Sequence, residues 1–275
     1  MFSMPNPPPD TPAINRRRIV ADLRALGLEP GDAVLAHTSL RSLGHVEGGA
    51  ETVVQGIIEV VAPDGTILFP AHTGHPGINP ENPPVFDVRT SPTLNIGVVP
   101  EAARLRPDAR RSLQPTHSVT AFGGQAEWFI EGHEFCDTPC GYNSPYEKLK
   151  RAGGKILLLG CDHESNTTLH ALEEAANVPY HMLTGVGTMK ITDANGVERQ
   201  LPGRFHRWGV PRHFMRWDAE FTRLGIQRTG RVGNAETRLV DAAAMWEYVL
   251  ELLKNDPCAL LPEDYVLPKN LGRPG

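Results

Sequence analysis

"AVLAHTSLRSLGHVEGGAETVVQGIIEVVAPDGTILFP", residues 33–70, sets two short apolar runs on either side of an amphipathic segment. AVLAH (33–37) and TILFP (66–70) have the length and composition of strands. GAETVVQGIIEVVA (49–62) instead spaces its apolar residues at helical intervals behind an acidic first turn. Strands joined through a helix pair in parallel, because only a long crossover returns the chain in the same direction. The unit therefore predicts an α/β layered fold whose functional groups sit on loops beyond strand ends, and His37 stands at such an end.

The same alternation continues outward. Ile19, Leu23, Leu26 and Leu28 give a helix over 15–28, ended by Gly27 and Pro30-Gly31. Residues 71–95, rich in Gly, Pro, Asn and Thr, read as a long loop, which in a compact domain is usually functional or disordered. A helix is expected over NIGVVPEAARLRP (95–107), a strand over HSVTAFG (117–123), a helix over AEWFIEGHEF (126–135) and a buried strand over KILLLG (155–160). MKITD (189–193) and VERQL (197–201) flank Ala194-Asn195-Gly196, where Asn-Gly predicts a type I′ hairpin. ETRLVDAAAMWEYVLELLKNDP (236–257) reads as the strongest helix. Residues 1–12, dominated by proline, are expected to form a disordered arm ahead of a single domain over 13–268, with no internal repeat.

A chain of 275 residues buries a sizeable core without staples. Its four cysteines lack metal-finger spacing, and its start lacks the charged and apolar regions of an export signal, so a cytoplasmic protein with reduced thiols is expected. No apolar run approaches the roughly 20 residues that span a bilayer. With a net charge of -5 and scattered Lys and Arg, a nucleic-acid partner is not expected either.

SNTTLHALEEA (165–175) follows the KILLLG strand directly. Ser165, Asn166 and Thr167 are good caps, so a helix starts there with its free N–H groups toward the strand-end cleft. His170 falls in the first turn, with Glu173 and Glu174 at i+3 and i+4, where either accepts from the ring and raises its basicity. That pattern fits a proton-carrying base, and spacing alone fits equally a helix with ordinary acidic residues near its positive end.

HTSLRSLG (37–44), GGAETVVQGI, DGTILFPAHT, SPTLNIGVVPEAAR, QPTHSVTAFG (114–123), CGYNSPYEKL (140–149) and LLLGCDHESNTTLHALEEA (157–175) occur in order along the chain. Together they resemble the antibiotic N-acetyltransferase family, that of the aminoglycoside 3-N-acetyltransferases, over about residues 31–178 with a weaker tail to about 250. The resemblance implies a layered mixed sheet flanked by helices, unrelated to the Gcn5-type acetyltransferases. It implies an acetyl-coenzyme A dependent transferase, without a metal, that passes acetyl directly to the 3-amino group of an aminoglycoside-like amino sugar and so confers antibiotic resistance. A monomer or homodimer is expected. The family's base matches His170, with Glu173 as its supporting acid, and His37 either positions the amine or shares the proton path.

The resemblance also places the cofactor at the loop His37, Thr38, Ser39, Leu40, Arg41, Ser42, Leu43 and Gly44. Thr116, His117, Ser118 and Val119 match a motif near the thioester, and Arg111 with Arg110 is suited to a coenzyme phosphate. An amino sugar needs carboxylates against its ammonium groups. Asp87, Glu101, Glu173 and Asp218 are the candidates, with Glu220 beside them. Their small number predicts a narrow acceptor range, since segment 198–221 is rich in Arg and His where aminoglycoside-modifying members often carry acids. Trp208 and Trp217 are candidates to wall the acceptor.

Three other groupings compete. Cys161 with nearby histidines, or His72 and His75 as metal ligands, would make an amide hydrolase, while His133, Cys136 and Cys140 lack a fourth ligand. An acetyltransferase for a non-antibiotic amine, or a binding protein without turnover, remain the other readings.

Overall fold

The structure is a computed structural model that describes residues 13–271; the expected arm at 1–12 lies outside the described residues. In chain order the elements are α1 (Arg16–Leu26), β1 (Ala33–Thr38), α2 (Leu40–Leu43), α3 (Gly49–Val61), β2 (Thr66–Pro70), β3 (Val85–Asp87), α4 (Val98–Arg104) and β4 (Arg110–Arg111). These are followed by β5 (Val119–Gly123), α5 (Ala126–Ile130), α6 (Pro145–Arg151), β6 (Lys155–Leu159), α7 (Thr167–Ala175), β7 (Gly187–Thr192) and β8 (Glu198–Gly203). The chain ends with α8 (Asp218–Arg223), β9 (Gln227–Val232), β10 (Ala235–Asp241) and α9 (Ala242–Asn255).

The β1-α3-β2 unit forms as expected, with Val34 opposite Ile67 in a parallel pair. β6 joins the other side of β1, also in parallel, and antiparallel strands extend both edges to give the order β4-β5-β2-β1-β6-β10-β9. This is the mixed sheet between helices that the resemblance implied. Strand alternation divides the core in two. Ile156 and Leu158 of β6 face α5, α6, α7 and α9, while Leu157 and Leu159 face α1, α3 and α4. A second sheet, β3-β7-β8, carries its own small core of Ile78, Phe86, Met189, Ile191 and Phe205.

Four local expectations are corrected. Residues 235–241 form strand β10 between β6 and β9 rather than the start of a helix, because nonlocal pairing on both sides overrides the helical spacing. The helix expected over 126–135 stops at Ile130, and left-handed Gly132 (φ 74°) leads into a separate 3-10 turn at His133–Phe135. The β7-β8 hairpin exists, but its turn is not type I′: Gly196 has positive φ and Asn195 does not. Asp193 instead accepts from the backbone of Asn195 and Val197, which holds a longer loop. Within the expected loop 71–95, Val85–Asp87 adds a parallel strand to β7.

Among the described residues, no helix is long and apolar enough to cross a membrane. Asp241 ends β10 and caps α9, its side chain accepting from the Ala244 N–H at 2.9 Å. Asp241→Ala should therefore lower stability by about 1 kcal/mol. Urea denaturation of the two proteins checks this, and an unchanged midpoint would show that the cap contributes nothing.

Candidate active site

The parallel strands β2, β1 and β6 end together, and in open α/β sheets ligands bind beyond such carboxyl ends. Here a cleft of about 770 Å³ is lined by Pro70 and His72 after β2, His37 to Arg41 from β1, and Gly160 to Asp162 after β6. Residues 95–98 lead into α4 on one side, while the start of α7, His117 and Trp208 close the others. Gly160 has φ 71°, and a Cβ there would fall 2.9 Å from that of Ser42 and 3.0 Å from that of Ala235. Only glycine lets the β1 loop approach the β6 end this closely.

His170 projects from the first turns of α7, whose N-cap Asn166 accepts from the Thr168 N–H. Its Nδ1 lies 2.7 Å from Glu173 Oε2, and its side chain is 29% exposed, so Nε2 is the ring atom left for the cleft. A carboxylate that accepts from Nδ1–H fixes the tautomer with the Nε2 lone pair free. Glu173 is fully buried. Its Oε2 also lies 3.0 Å from His181 Nδ1, and its Oε1 accepts from Arg212 Nε at 3.0 Å. Burial pushes this carboxyl up, but the imidazoles of His181 and His170 outweigh it and hold it well below the usual carboxylate range. Of the two glutamates that spacing allows, geometry therefore pairs Glu173 with His170. Glu174 turns away from His170 to meet Thr138, the Cys140 N–H and His206, and burial pushes its carboxyl up to about 8.

His37 is 6% exposed, and its Nε2, like the Thr38 hydroxyl, has no hydrogen-bond partner among the described residues. Burial, then the nearby His163 and His170, lowers His37 to about 3, so it stands in the cleft as a neutral ring. His72 is lowered to about 3, chiefly by burial, and its Nε2 lies 2.9 Å from the Tyr146 hydroxyl.

Of the expected cofactor residues, His37, Thr38, Ser39, Leu40, Arg41 and His117 line the cleft. The others lie outside its lining for identifiable reasons. Ser42 is paired with the Ser39 hydroxyl at 2.8 Å, Leu43 is buried in the core, and Gly44 packs its backbone toward Asn234 and Ile14. Arg111 is consumed by the Ser118 hydroxyl and the Ser91 and Ala71 carbonyls, over the Phe86 ring. Arg110 pairs with Glu127. Thr116 is held by Gln114, Ser118 donates to the Ala71 carbonyl, and Val119 is a core residue.

The expected acceptor carboxylates are likewise engaged elsewhere. Asp87 pairs with Arg89, Glu101 with Arg104 and the Thr93 N–H, and Asp218 with Arg238 and Gln227. Glu220 pairs with Arg223, and Glu173 is taken up by His170, His181 and Arg212 behind the cleft. The carboxylates that do line the cleft are Asp162 and Glu164, from the DHES segment just after β6. Their position one step beyond a buried strand was the signal for them. Trp208 lines the cleft, whereas Trp217 packs against Tyr248 and donates to the Ala259 carbonyl.

The competing groupings do not assemble. Burial pushes the Cys161 thiol up to about 12, the reverse of what a nucleophile needs. His75 is exposed and accepts from the Gly77 N–H, apart from the His72 pair with Tyr146. Both ring nitrogens of His133 are taken, by Ser112 and the Pro139 carbonyl.

Residues 35–254 match the family described as aminoglycoside 3-N-acetyltransferase. The aminoglycoside N(3)-acetyltransferase VIII of Streptomyces fradiae is 33% identical over 269 residues, covering 88% of this chain and 92% of its own. Among solved structures, AAC-IIIb in a binary complex with CoASH has a TM-score of 0.76 and 31% identity, covering 89% of this chain and 97% of its own. A mutant of the aminoglycoside acetyltransferase AAC(3)-IVa in complex with a gentamicin has a TM-score of 0.78 and 27% identity, covering 93% and 94%. A strand-end cleft with an acid-supported histidine, matched along most of its length in sequence and structure, makes this chain a member of the aminoglycoside 3-N-acetyltransferase family.

Proposed function

We propose that this chain transfers the acetyl group of acetyl-coenzyme A directly to an amine of an aminoglycoside-like amino sugar, at its 3-amino group, with His170 as the base. The observation that carries the reading is the His170 Nδ1 to Glu173 contact at 2.7 Å beside a large cleft. The acceptor amine attacks the thioester carbonyl carbon while His170 Nε2 takes its proton. The tetrahedral intermediate collapses, the carbon–sulfur bond breaks, and coenzyme A leaves as a thiolate that the protonated ring can neutralise. Glu173 steadies the imidazolium, and His37 and the Thr38 hydroxyl supply unpartnered polar atoms for the ligands. The segment 38–41 suits the cofactor, and the cytoplasm, where acetyl-coenzyme A is made, suits the enzyme.

His170→Ala should lower kcat by roughly 10²- to 10⁴-fold with cofactor binding retained. Thiol release on an aminoglycoside panel checks it, and near-normal turnover would remove His170 from the mechanism. On the acceptor side, Asp162→Asn and Glu164→Gln should each raise the acceptor KM more than they lower kcat, since both line the cleft without touching His170 or Glu173. A kcat loss at unchanged KM would exclude the binding role.

Arg212 gives a pH prediction. It is the permanent cation against Glu173, so Arg212→Gln should raise the carboxyl from its depressed position. Protonated Glu173 cannot hold His170, and the acid limb of the kcat profile should then move to higher pH. A profile identical to wild type would show that Arg212 does not act through Glu173.

A further inference from the structure

Behind the cleft, His117 from the turn before β5, Cys140 from the loop before α6 and His206 from the segment after β8 converge. Each offers one ligand atom, and all three atoms lie within 4.8 Å of one another. The side chains are 8%, 0% and 9% exposed. Neither histidine belongs to the His170–Glu173 pair.

The hydrogen bonds around them determine which atoms face inward. Gln114 Oε1 accepts two backbone N–H groups, from Thr116 and His117, so it is an oxygen. Thr116 Oγ1 donates to that oxygen and must therefore accept from His117 Nδ1, 2.9 Å away. His117 Nε2 is left with its lone pair. On the opposite side, His206 Nε2 meets Glu174 Oε1, which leaves Nδ1 as the free ring atom. Glu174 also accepts from the Cys140 N–H at 3.0 Å, so one carboxyl clamps both residues. An imidazole anchored through one nitrogen to a carboxyl group and presenting the other is the usual outer arrangement of metal-ligating histidine.

A separate observation points the same way. His181 is 1% exposed, its Nε2 has no hydrogen-bond partner among the described residues, and its ring centroid lies 4.1 Å from that of His206. Buried polar atoms are nearly always satisfied, so an unpaired nitrogen beside the His206 ring marks a place for a ligand.

We propose that His117, Cys140 and His206 bind a zinc-class divalent cation at the back wall of the cleft, with Glu174 orienting the site from outside. Two imidazoles and a thiolate suit zinc, with bonds of about 2.0–2.3 Å, whereas magnesium and calcium require oxygen ligands. Binding releases the Cys140 thiol proton to solvent and leaves the oxidation states unchanged. The ion joins the main sheet to the segment that leaves the small one, and fixes His117, which lines the cleft. Cys140 was grouped by sequence proximity with His133 and Cys136, but its partners come from across the fold.

The test uses the full chain, stripped with a chelator and titrated with Zn(II) or Co(II). Folded wild type and Cys258→Ser should each bind about one equivalent by mass spectrometry of metals, and the cobalt form should show thiolate-to-metal charge-transfer absorption. Cys140→Ser should lack that absorption, and Glu174→Gln should bind roughly 10- to 100-fold more weakly. Circular dichroism confirms folding, and His206→Asn replaces Cys140→Ser if that variant does not fold. Failure of folded wild type to bind either metal, or charge-transfer absorption that survives in Cys140→Ser, would overturn the site.

Discussion

Glu173 places a full negative charge in the interior of the protein, and an unpaired charge there would cost several kcal/mol. Its partners must therefore be brought to it, and they come from separate parts of the chain. His170 lies on the same helix, His181 follows α7, and Arg212 belongs to the segment after β8. Arg212 in turn lies over the Tyr180 ring, with its carbon 5.1 Å from the centroid. One buried carboxylate thus determines how the segments beyond α7 pack against the main sheet, and it fixes the ring that faces the cleft.

The sheet determines where that ring is useful. β1 is the central parallel strand, between β2 and β6, so the ends of all three strands open into one space. α7 begins a few residues after β6, which puts its first turns, and His170 with them, at the rim of that space. Moving His170 one position along the helix would rotate it by about 100° and away from both the cleft and Glu173. The reading that depends on His170 therefore rests on helix register as much as on residue identity.

The parts legible in the sequence were those set by local chemistry. The β1-α3-β2 unit, the cap at Asn166 and the pairing of His170 with an acid all rest on residues close together in the chain. What was not legible came from distant pairing. Residues 235–241 have helical spacing but lie between two strands, and no local signal reports those neighbours. Arg212 and His181 approach Glu173 only after folding. Asp87, Glu101 and Asp218 carry the right charge for an ammonium, yet each already has an arginine, which no count of acids reveals. Arg111 likewise has the charge for a phosphate but spends its donors on the Ser118 hydroxyl and two backbone carbonyls.

The charge state of the cleft reconciles its many histidines with the cationic acceptor proposed above. His37, His72, His117 and His170 all line it, and four imidazolium ions would repel an ammonium strongly. Burial prevents this for His37 and His72, lowering both to about 3, and it also holds His117 well below the ordinary range. Neutral rings still offer hydrogen bonds, so they can orient a polar ligand without repelling it. Against them stand the carboxylates of Asp162 and Glu164 at the exit of β6. Two carboxylates cannot neutralise every ammonium of a highly charged sugar, which favours acceptors that present few amines to this surface. Desolvation thus keeps the surrounding imidazoles uncharged, while Glu173, held ionised against its own burial by its partners, stands beside the ring proposed to accept the proton.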